Sequence, residues 1–185
     1  MGVTNWEGGR QAAEHLLDLG HVRFGLIGGE RRALYSRARL DGFRSALAAR
    51  DLDVDETLVA AAAWDREAAR EVVAGFLDRP DRPTAVFAAS DMMALGVYDA
   101  ARQLGLDVPG DLSVVGFDDI PEATWASPPL TTVRQPIQEM GASALRMLLR
   151  LQDRPTDAGS QAVGPRVDLA TRLVERASTG RVQGT

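Results

Sequence analysis

Apolar residues along this chain follow two alternating patterns, which predict short strands and longer helices. Compact apolar runs predict four strands, at Phe24–Ile27, Leu58–Ala63, Thr84–Ala89 and Leu112–Phe117. Apolar residues spaced three or four apart predict helices at Gly8–Leu19, at Leu34–Ala49, after Asp65, at Asp91–Leu104 and at Ile137–Leu151. Strand and helix therefore alternate through residues 22–117. This alternation predicts an α/β fold with a doubly wound parallel sheet covered on both faces.

The last third of the chain continues the pattern less regularly. The segment LTTVRQP at Leu130–Pro136 predicts another extended stretch, ended by a proline that opens a helix. A polar segment rich in Gly, Pro and Ser predicts a loop at Gln152–Pro165, and short strands are expected at Arg166–Leu169 and Arg172–Val174. The tail after Thr179 is expected to be disordered.

Composition narrows the functional classes. The 185 residues are 45% hydrophobic and 25% charged, a balance that supports one packed domain, or one domain and part of a second. There are no cysteines, so disulfides and thiolate chemistry are excluded. The net charge of −5 argues against DNA binding by this chain alone. Neither a secretory signal nor an apolar run of about 20 residues is evident, so we expect a cytoplasmic protein without membrane partners.

Polar and aromatic residues follow the predicted strands at their carboxyl ends. Trp64 follows one strand, Ser90 and Asp91 follow the next, and Asp118 and Asp119 end the run VVGFDD. In open α/β sheets, ligands bind outside the carboxyl ends of the strands. These side chains should therefore converge at one edge of the sheet, where paired acids can grip a ligand that carries hydroxyl groups.

Each of these residues also has a structural interpretation. Asp65 and Asp91 each begin a helical run, and helix capping is the favoured role for both. Trp64 fits core packing as well as a stacking surface. Asp118 and Asp119 could simply open a turn. Arg39 lies in the first turns of a helix beside the same edge, where most arginines are solvated.

Enzymatic interpretations have weaker support. Paired acids can hold magnesium for phosphoryl transfer, but such sites usually use a lysine, and all 21 basic residues here are arginine. Gly28–Gly29 lacks the spacing of a nucleotide-binding loop. His15 and His21 have no serine or cysteine partner at a recognisable spacing, and a structural role is favoured for both. We expect no enzymatic activity, no cofactor and no metal site.

Five ordered blocks resemble the effector-binding core of the lac-repressor/galactose-repressor family of bacterial transcription regulators. The blocks are VTNWEGGRQAAEHLLDLGHVRFGLIGG, SRARLDGFRSAL, RPTAVFAASDMMALGVYDAARQLGLDVPGDLSVVGFDD, PPLTTVRQP and LATRLVERAST. The resemblance extends from Val3 to about Thr179. It implies half of a two-lobed, periplasmic-binding-protein-like sensor, without the helix-turn-helix that contacts DNA. We expect the chain to be a fragment, or the product of a gene whose front half is lost.

The resemblance also implies how the chain is divided between the two lobes. Residues 21–133 and 166–179 form a nearly complete second lobe. Residues 1–20 and 134–165 are remnants of the first lobe, and residues 180–185 are the disordered tail. The helix Ile137–Leu151 has an apolar face whose first-lobe partners are absent, and we expect it to dock on Ala12, Leu16 and Leu17.

The same resemblance assigns five effector-binding residues: Arg39, Trp64, Ser90, Asp118 and Gln135. Arg39 would clamp effector hydroxyls or a carboxylate, Asp118 would accept from hydroxyls, and Trp64 would stack on the effector ring. Gln135 would lie where the chain crosses between lobes. Ser90 replaces a usual asparagine and Thr4 replaces a common aspartate. A sugar remains the leading effector class.

These observations predict the effector-sensing part of a transcriptional regulator whose lobes close on a ligand. DNA would be bound only through the missing N-terminal head. By resemblance, homodimers would form through Asp65–Leu77, Met92–Gln103 and Ile120–Ser127. The alternatives are a stand-alone periplasmic sugar-binding protein and a magnesium-dependent phosphoryl-transfer enzyme.

Overall fold

The computed structural model describes residues 2–30, 32–152 and 167–182, and its centre is a six-stranded sheet in the order β3-β2-β4-β5-β6-β8. All neighbouring strands are parallel except the edge strand β8, which runs antiparallel to β6. The strands are β1 (Gly2–Val3), β2 (Phe24–Gly28), β3 (Val59–Ala61), β4 (Ala85–Ala88), β5 (Ser113–Asp118), β6 (Thr131–Arg134), β7 (Asp168–Leu169) and β8 (Arg172–Val174). The helices are α1 (Asn5–Asp18), α2 (Leu34–Ala48), α3 (Arg66–Leu77), α4 (Asp91–Gln103), α5 (Pro121–Trp125) and α6 (Ile137–Gln152).

Both faces of the six-stranded sheet are covered by helices, which confirms the predicted α/β architecture. Val73 of α3 and Met93 of α4 are fully buried in the core on one face. On the other face, α1 and α2 cover a core that contains Phe43, Phe87 and Phe117. Because the central strands are buried on both sides, they consist of continuous apolar runs rather than alternating ones.

The first helix, which the resemblance assigns to the remnant of the first lobe, packs against α2 and the six-stranded sheet. Ala12 and Leu16 are fully buried in the core beneath the sheet. The helix crosses α2 at very close range. A Cβ on Gly9 would lie 1.9 Å from the carbonyl oxygen of Arg39, and a Cβ on Gly42 would lie 1.8 Å from that of Trp6. Glycine at both positions allows the two backbones to touch.

The helix α6 does not bury its apolar face on α1, contrary to prediction. Ala12 and Leu16 are already occupied by the sheet and α2. Ile137, Leu145 and Leu148 are each more than half exposed. The prediction failed because it treated α1 as a helix in need of a partner, whereas α1 packs against α2 and the six-stranded sheet.

The C-terminal segment is more ordered than predicted. Strand β8 joins the main sheet, whereas β7 pairs with β1 in a separate two-stranded sheet. The amide of Gly180 donates to Ser113 Oγ, and the amide of Val182 donates to the carbonyl of Leu19. The segment predicted to be a disordered tail thus makes backbone hydrogen bonds at Gly180 and Val182. The predicted loop beyond Gln152, its continuation to residue 166 and the final three residues lie outside the described residues.

Two local features differ from the sequence predictions. A 3-10 turn at Glu56–Leu58 shortens the strand predicted at Leu58–Ala63. The loop after Asp119 contains the short helix α5, whose proline at the first turn favours helix initiation. Asp65 caps α3 as predicted, since its carboxylate accepts from the amide of Ala68. No helix in the described residues is long and apolar enough to cross a membrane.

Candidate functional site

Arg39 is the centre of a hydrogen-bonded group at the carboxyl ends of β4, β5 and β6. Its guanidinium is only 4% exposed although it reaches across the sheet edge from α2. It donates from Nε to Asn5 Oδ1 at 2.8 Å, and from Nη1 to the carbonyl of Ala89 at 2.5 Å and to Asp118 Oδ1 at 3.3 Å. These contacts come from three separate elements, so the fold fixes the direction of this side chain.

Aromatic rings complete the surroundings of the guanidinium. Its carbon lies 3.7 Å from the ring centroid of Phe117 and 5.6 Å from that of Tyr35. Burial lowers the pKa of Arg39 from its ordinary value, and the nearby Asp118 carboxylate partly offsets this effect. An arginine remains protonated in such surroundings, so the site contains a fixed, largely desolvated cation.

Asp118 faces Arg39 because its backbone adopts an uncommon conformation. The residue ends β5 with φ of 119°, a region that side chains other than glycine rarely enter. Its Oδ1 also accepts from Gln135 Nε2 at 2.5 Å. Burial raises the pKa of Asp118, while Arg39 and Gln135 act in the opposite direction. The structure thus brings together three of the five predicted residues, Arg39, Asp118 and Gln135.

Asp119 turns away from this group and is held by a different set of charges. Its carboxylate accepts from Arg134 and from Arg176 Nη2, and its side chain is 6% exposed. Burial raises the pKa of Asp119, but the hydrogen bonds from these arginines outweigh burial and lower it overall. The two acids at the end of β5 therefore have different hydrogen-bond partners. Asp118 faces the sheet edge, and Asp119 joins the end of β5 to β6 and to the segment after β8.

Ser90, and not Asp91, caps α4 in the structure. Ser90 caps α4, since its Oγ accepts from the amide of Met93. Asp91 is fully buried, and its carboxylate accepts from the amide of Ile120 and the hydroxyl of Thr132. The prediction that Asp91 is a cap is wrong. Ser90 lies next to Ala89, whose carbonyl binds Arg39, and its role in effector binding stays a prediction.

An aromatic pair extends the site on its other side. The rings of Tyr35 and Trp64 lie 5.0 Å apart at an angle of 32°. Trp64 packs directly over Gly29, where a Cβ would lie 2.0 Å from the indole ring. Tyr35 was missed by sequence reasoning. The available signal was its position four residues before Arg39, which puts both side chains on one face of α2.

Five side chains are linked by successive contacts, and we call this set the Arg39 strip; its members are Gln135, Asp118, Arg39, Tyr35 and Trp64. One end carries an amide, a carboxylate and a guanidinium, and the other end carries two aromatic rings. Such a surface can bind a ligand that has hydroxyl groups on one part and an apolar face on another.

The two histidines lie outside the Arg39 strip and contact hydroxyl groups. His21 lies near the amino ends of the strands, with Nδ1 at 2.9 Å from Thr84 Oγ1 and Nε2 at 3.0 Å from Ser113 Oγ. His15 Nε2 lies 2.9 Å from Thr179 Oγ1. Within the described ranges, no three His, Cys, Asp or Glu side chains converge as a metal site would require.

Comparison with known proteins gives a consistent family assignment. The model of the periplasmic binding protein-like domain matches residues 13–179. The HTH-type transcriptional regulator DegA of Bacillus subtilis is 40% identical over 177 residues, which are 96% of this chain and 51% of DegA. The chain spans about half the length of the curated relatives it matches.

Solved structures agree with this assignment. A complex of the transcriptional regulator CelR with cellobiose has a TM-score of 0.85 and 39% identity, and the match covers 95% of this chain and 52% of CelR. A dimeric Lac repressor has a TM-score of 0.86 and 30% identity, over 97% of this chain and 64% of the repressor.

Proposed function

Because the chain belongs to the LacI family of transcriptional regulators and carries their periplasmic-binding-protein-like domain, we propose that it senses a neutral sugar through the Arg39 strip. The observation that carries this proposal is the order of chemical groups along the strip. Planar charged groups at one end suit vicinal hydroxyls, and aromatic rings at the other suit the apolar face of a pyranose or furanose ring.

The charges of the strip favour a neutral ligand over an ionic one. Arg39 and Asp118 are paired at 3.3 Å, so their formal charges cancel at the ligand-facing edge. A phosphorylated or carboxylated ligand would meet the Asp118 carboxylate beside the guanidinium, and a cationic ligand would meet the buried Arg39. Hydroxyl groups can both donate to Asp118 and accept from Arg39 or Gln135. The cellobiose bound to CelR is a ligand of this kind.

Gln135 links the strip to the segment that leaves the sheet. It follows β6 directly and precedes α6, and its side chain donates to Asp118. A ligand held by Asp118 and Gln135 would therefore touch the connection towards the rest of the sensor. We expect the ligand to bias the angle between this lobe and another lobe, which would change operator affinity through differential binding to two states.

The outer surface of α3, α4 and α5 supports a homodimer as part of the proposal. Val72, Met92 and Trp125 lie on these three helices and are exposed, with Trp125 at 77%. A tryptophan exposed to this extent is typical of an interface. The Lac repressor that resembles this chain is described as dimeric.

Operator binding by the complete gene product tests this function. A fragment of its own promoter is titrated with protein, with and without ribose, galactose, glucose, cellobiose or lactose, and with glucose 6-phosphate as the charged control. We expect one neutral sugar to change operator affinity at least tenfold, which corresponds to about 1.4 kcal/mol of coupling. Sugar binding without any DNA binding would instead support a stand-alone sugar-binding protein and contradict the regulator.

A further inference from the structure

A cavity lies beside the Arg39 strip, between the beginning of α1 and the beginning of α2. Its volume is about 600 Å³, which is within the range of about 300–1,000 Å³ typical of small-molecule sites. Trp6, Leu34 and Tyr35 contribute its large apolar side chains. We call this cavity the outer cavity.

Two residues connect the outer cavity to the strip. Asn5 lines the cavity and accepts a hydrogen bond from Arg39 Nε at 2.8 Å. Tyr35 also lines the cavity, and its ring contacts both the Arg39 guanidinium and the ring of Trp64. The outer cavity and the Arg39 guanidinium therefore lie on opposite sides of the same two side chains, Asn5 and Tyr35.

The lining of the outer cavity selects for a neutral, flat group. Trp6 is 44% exposed, Tyr35 is 46% exposed and Leu34 is 77% exposed, so these apolar surfaces are open to a ligand. Glu7 and Asp168 are the acidic residues that line the cavity, and the Glu7 carboxylate is paired with Arg10. No arginine is among the described residues that line it, so an anionic group would find no cation there.

We propose that the outer cavity binds the second ring of a disaccharide whose first ring is held by the Arg39 strip. This inference rests on the proposed sugar-sensing function and narrows its ligand to a two-ring saccharide. The first ring satisfies Arg39, Asp118 and Gln135 with its hydroxyls. The second ring packs its apolar face against Trp6 and Tyr35, because pyranose rings present C–H groups that stack on aromatic surfaces.

Calorimetry on the complete gene product tests the inference with matched sugars. Glucose is compared with cellobiose, and galactose with lactose, on the wild type, on Trp6→Ala and on Trp125→Ala. Trp125 is the control because it is also an exposed tryptophan but lies on α5. We expect one disaccharide to bind at least tenfold more tightly than its monosaccharide. Trp6→Ala should reduce that ratio to below threefold and leave monosaccharide affinity within twofold, whereas Trp125→Ala should preserve the ratio.

Fluorescence gives a readout that does not depend on affinity alone. The chain has three tryptophans, at positions 6, 64 and 125, so Trp64→Phe with Trp125→Phe leaves Trp6 as the only one. Saturating disaccharide should shift the emission of Trp6 to shorter wavelength, because the ring loses contact with water. Saturating monosaccharide should leave that emission unchanged.

The outcomes separate the two proposals. Monosaccharide binding without a disaccharide preference, or equal loss of both affinities in Trp6→Ala, overturns the outer cavity as a sugar subsite and leaves sugar sensing intact. Absence of saturable binding by any of the four sugars and by ribose overturns the sugar-sensing proposal, and the subsite with it.

Discussion

Arg39 and Asp118 are 79 residues apart in sequence, and their side chains meet with Nη1 3.3 Å from Oδ1. The contact joins α2 to the end of β5, and the Arg39 side chain is only 5% exposed. Removing either partner would leave a buried charge or acceptor without compensation. This pair is therefore the part of the strip whose loss should be most visible in both binding and stability.

The buried carboxylate of Asp91 should make the stability of the protein depend on pH. Burial raises the pKa of Asp91 from 3.8 to about 7. Between these values the folded protein holds a proton that the unfolded chain releases, so the free energy of unfolding should fall as pH rises through this range. A shift of about 3 units corresponds to a loss on the order of 4 kcal/mol. Urea unfolding at pH 5 and pH 8 measures about two-thirds of this loss, because Asp91 of the unfolded chain is already ionised at pH 5.

Asp91→Asn is the matched control for this pH dependence. The amide keeps the shape of the neutral acid and can still accept from the amide of Ile120 and bond to the Thr132 hydroxyl. We expect the variant to lose much of the difference between pH 5 and pH 8, although Asp118, whose pKa is also raised, retains a part of it. Equal pH dependence in the variant and the wild type would show that Asp91 is not the responsible group.

Two glycine-to-alanine substitutions should change stability in opposite directions, because Gly9 lies in the crossing of α1 and α2 and Gly75 lies outside it. In Gly9→Ala, the new Cβ would overlap the carbonyl of Arg39, so we expect a loss of about 2 kcal/mol or more and weaker ligand binding. In Gly75→Ala on α3, the Cβ meets nothing within 4 Å, and a gain of about 0.5–1 kcal/mol is expected from helix propensity. Chemical denaturation of both variants checks this contrast, and similar stability changes would argue against the crossing.

The proposed homodimer can be tested through Trp125. Light scattering at micromolar concentration should report about twice the chain mass of 19.9 kDa. Trp125→Glu should shift the mass towards that of the monomer, since a central interface tryptophan commonly contributes 2 kcal/mol or more. Val22→Glu alters another exposed apolar residue, which lies before β2, and should leave the dimer intact. A monomeric wild type would contradict this part of the proposal.

Much of the fold could be predicted from the sequence because its strands are continuous apolar runs. VVGF within β5 and AVFA in β4 have no other stable location than the centre of a sheet with both faces covered. The Asp65 cap was predictable from local chemistry, because its carboxylate needs only an amide three residues later. The position of α1 was not predictable, because its contact with α2 depends on Gly9 and Gly42, and glycine carries no hydrophobic signal.

The candidate site was predictable only in part. Resemblance to known sequences indicated Arg39, Asp118 and Gln135, and the structure brings these three together. The sequence could not predict that Asp118 and Asp119 have different hydrogen-bond partners. These partners depend on the positive φ angles of both residues and on Arg176 from a distant segment. Tyr35 was missed because one exposed tyrosine on a helix gives no sequence pattern until its neighbours in space are known.

The most direct test of the account is calorimetry of the sugar selected by the operator assay, with Asp118→Asn compared with Asp41→Asn. Asp41 is an exposed acid two residues after Arg39 on α2, so its variant removes the same charge outside the strip. We expect Asp118→Asn to weaken sugar binding at least tenfold, since a charged partner in a cleft contributes about 2–5 kcal/mol. Asp41→Asn should bind as the wild type does. Undiminished affinity in a folded Asp118→Asn protein would contradict the Arg39 strip as the sugar site.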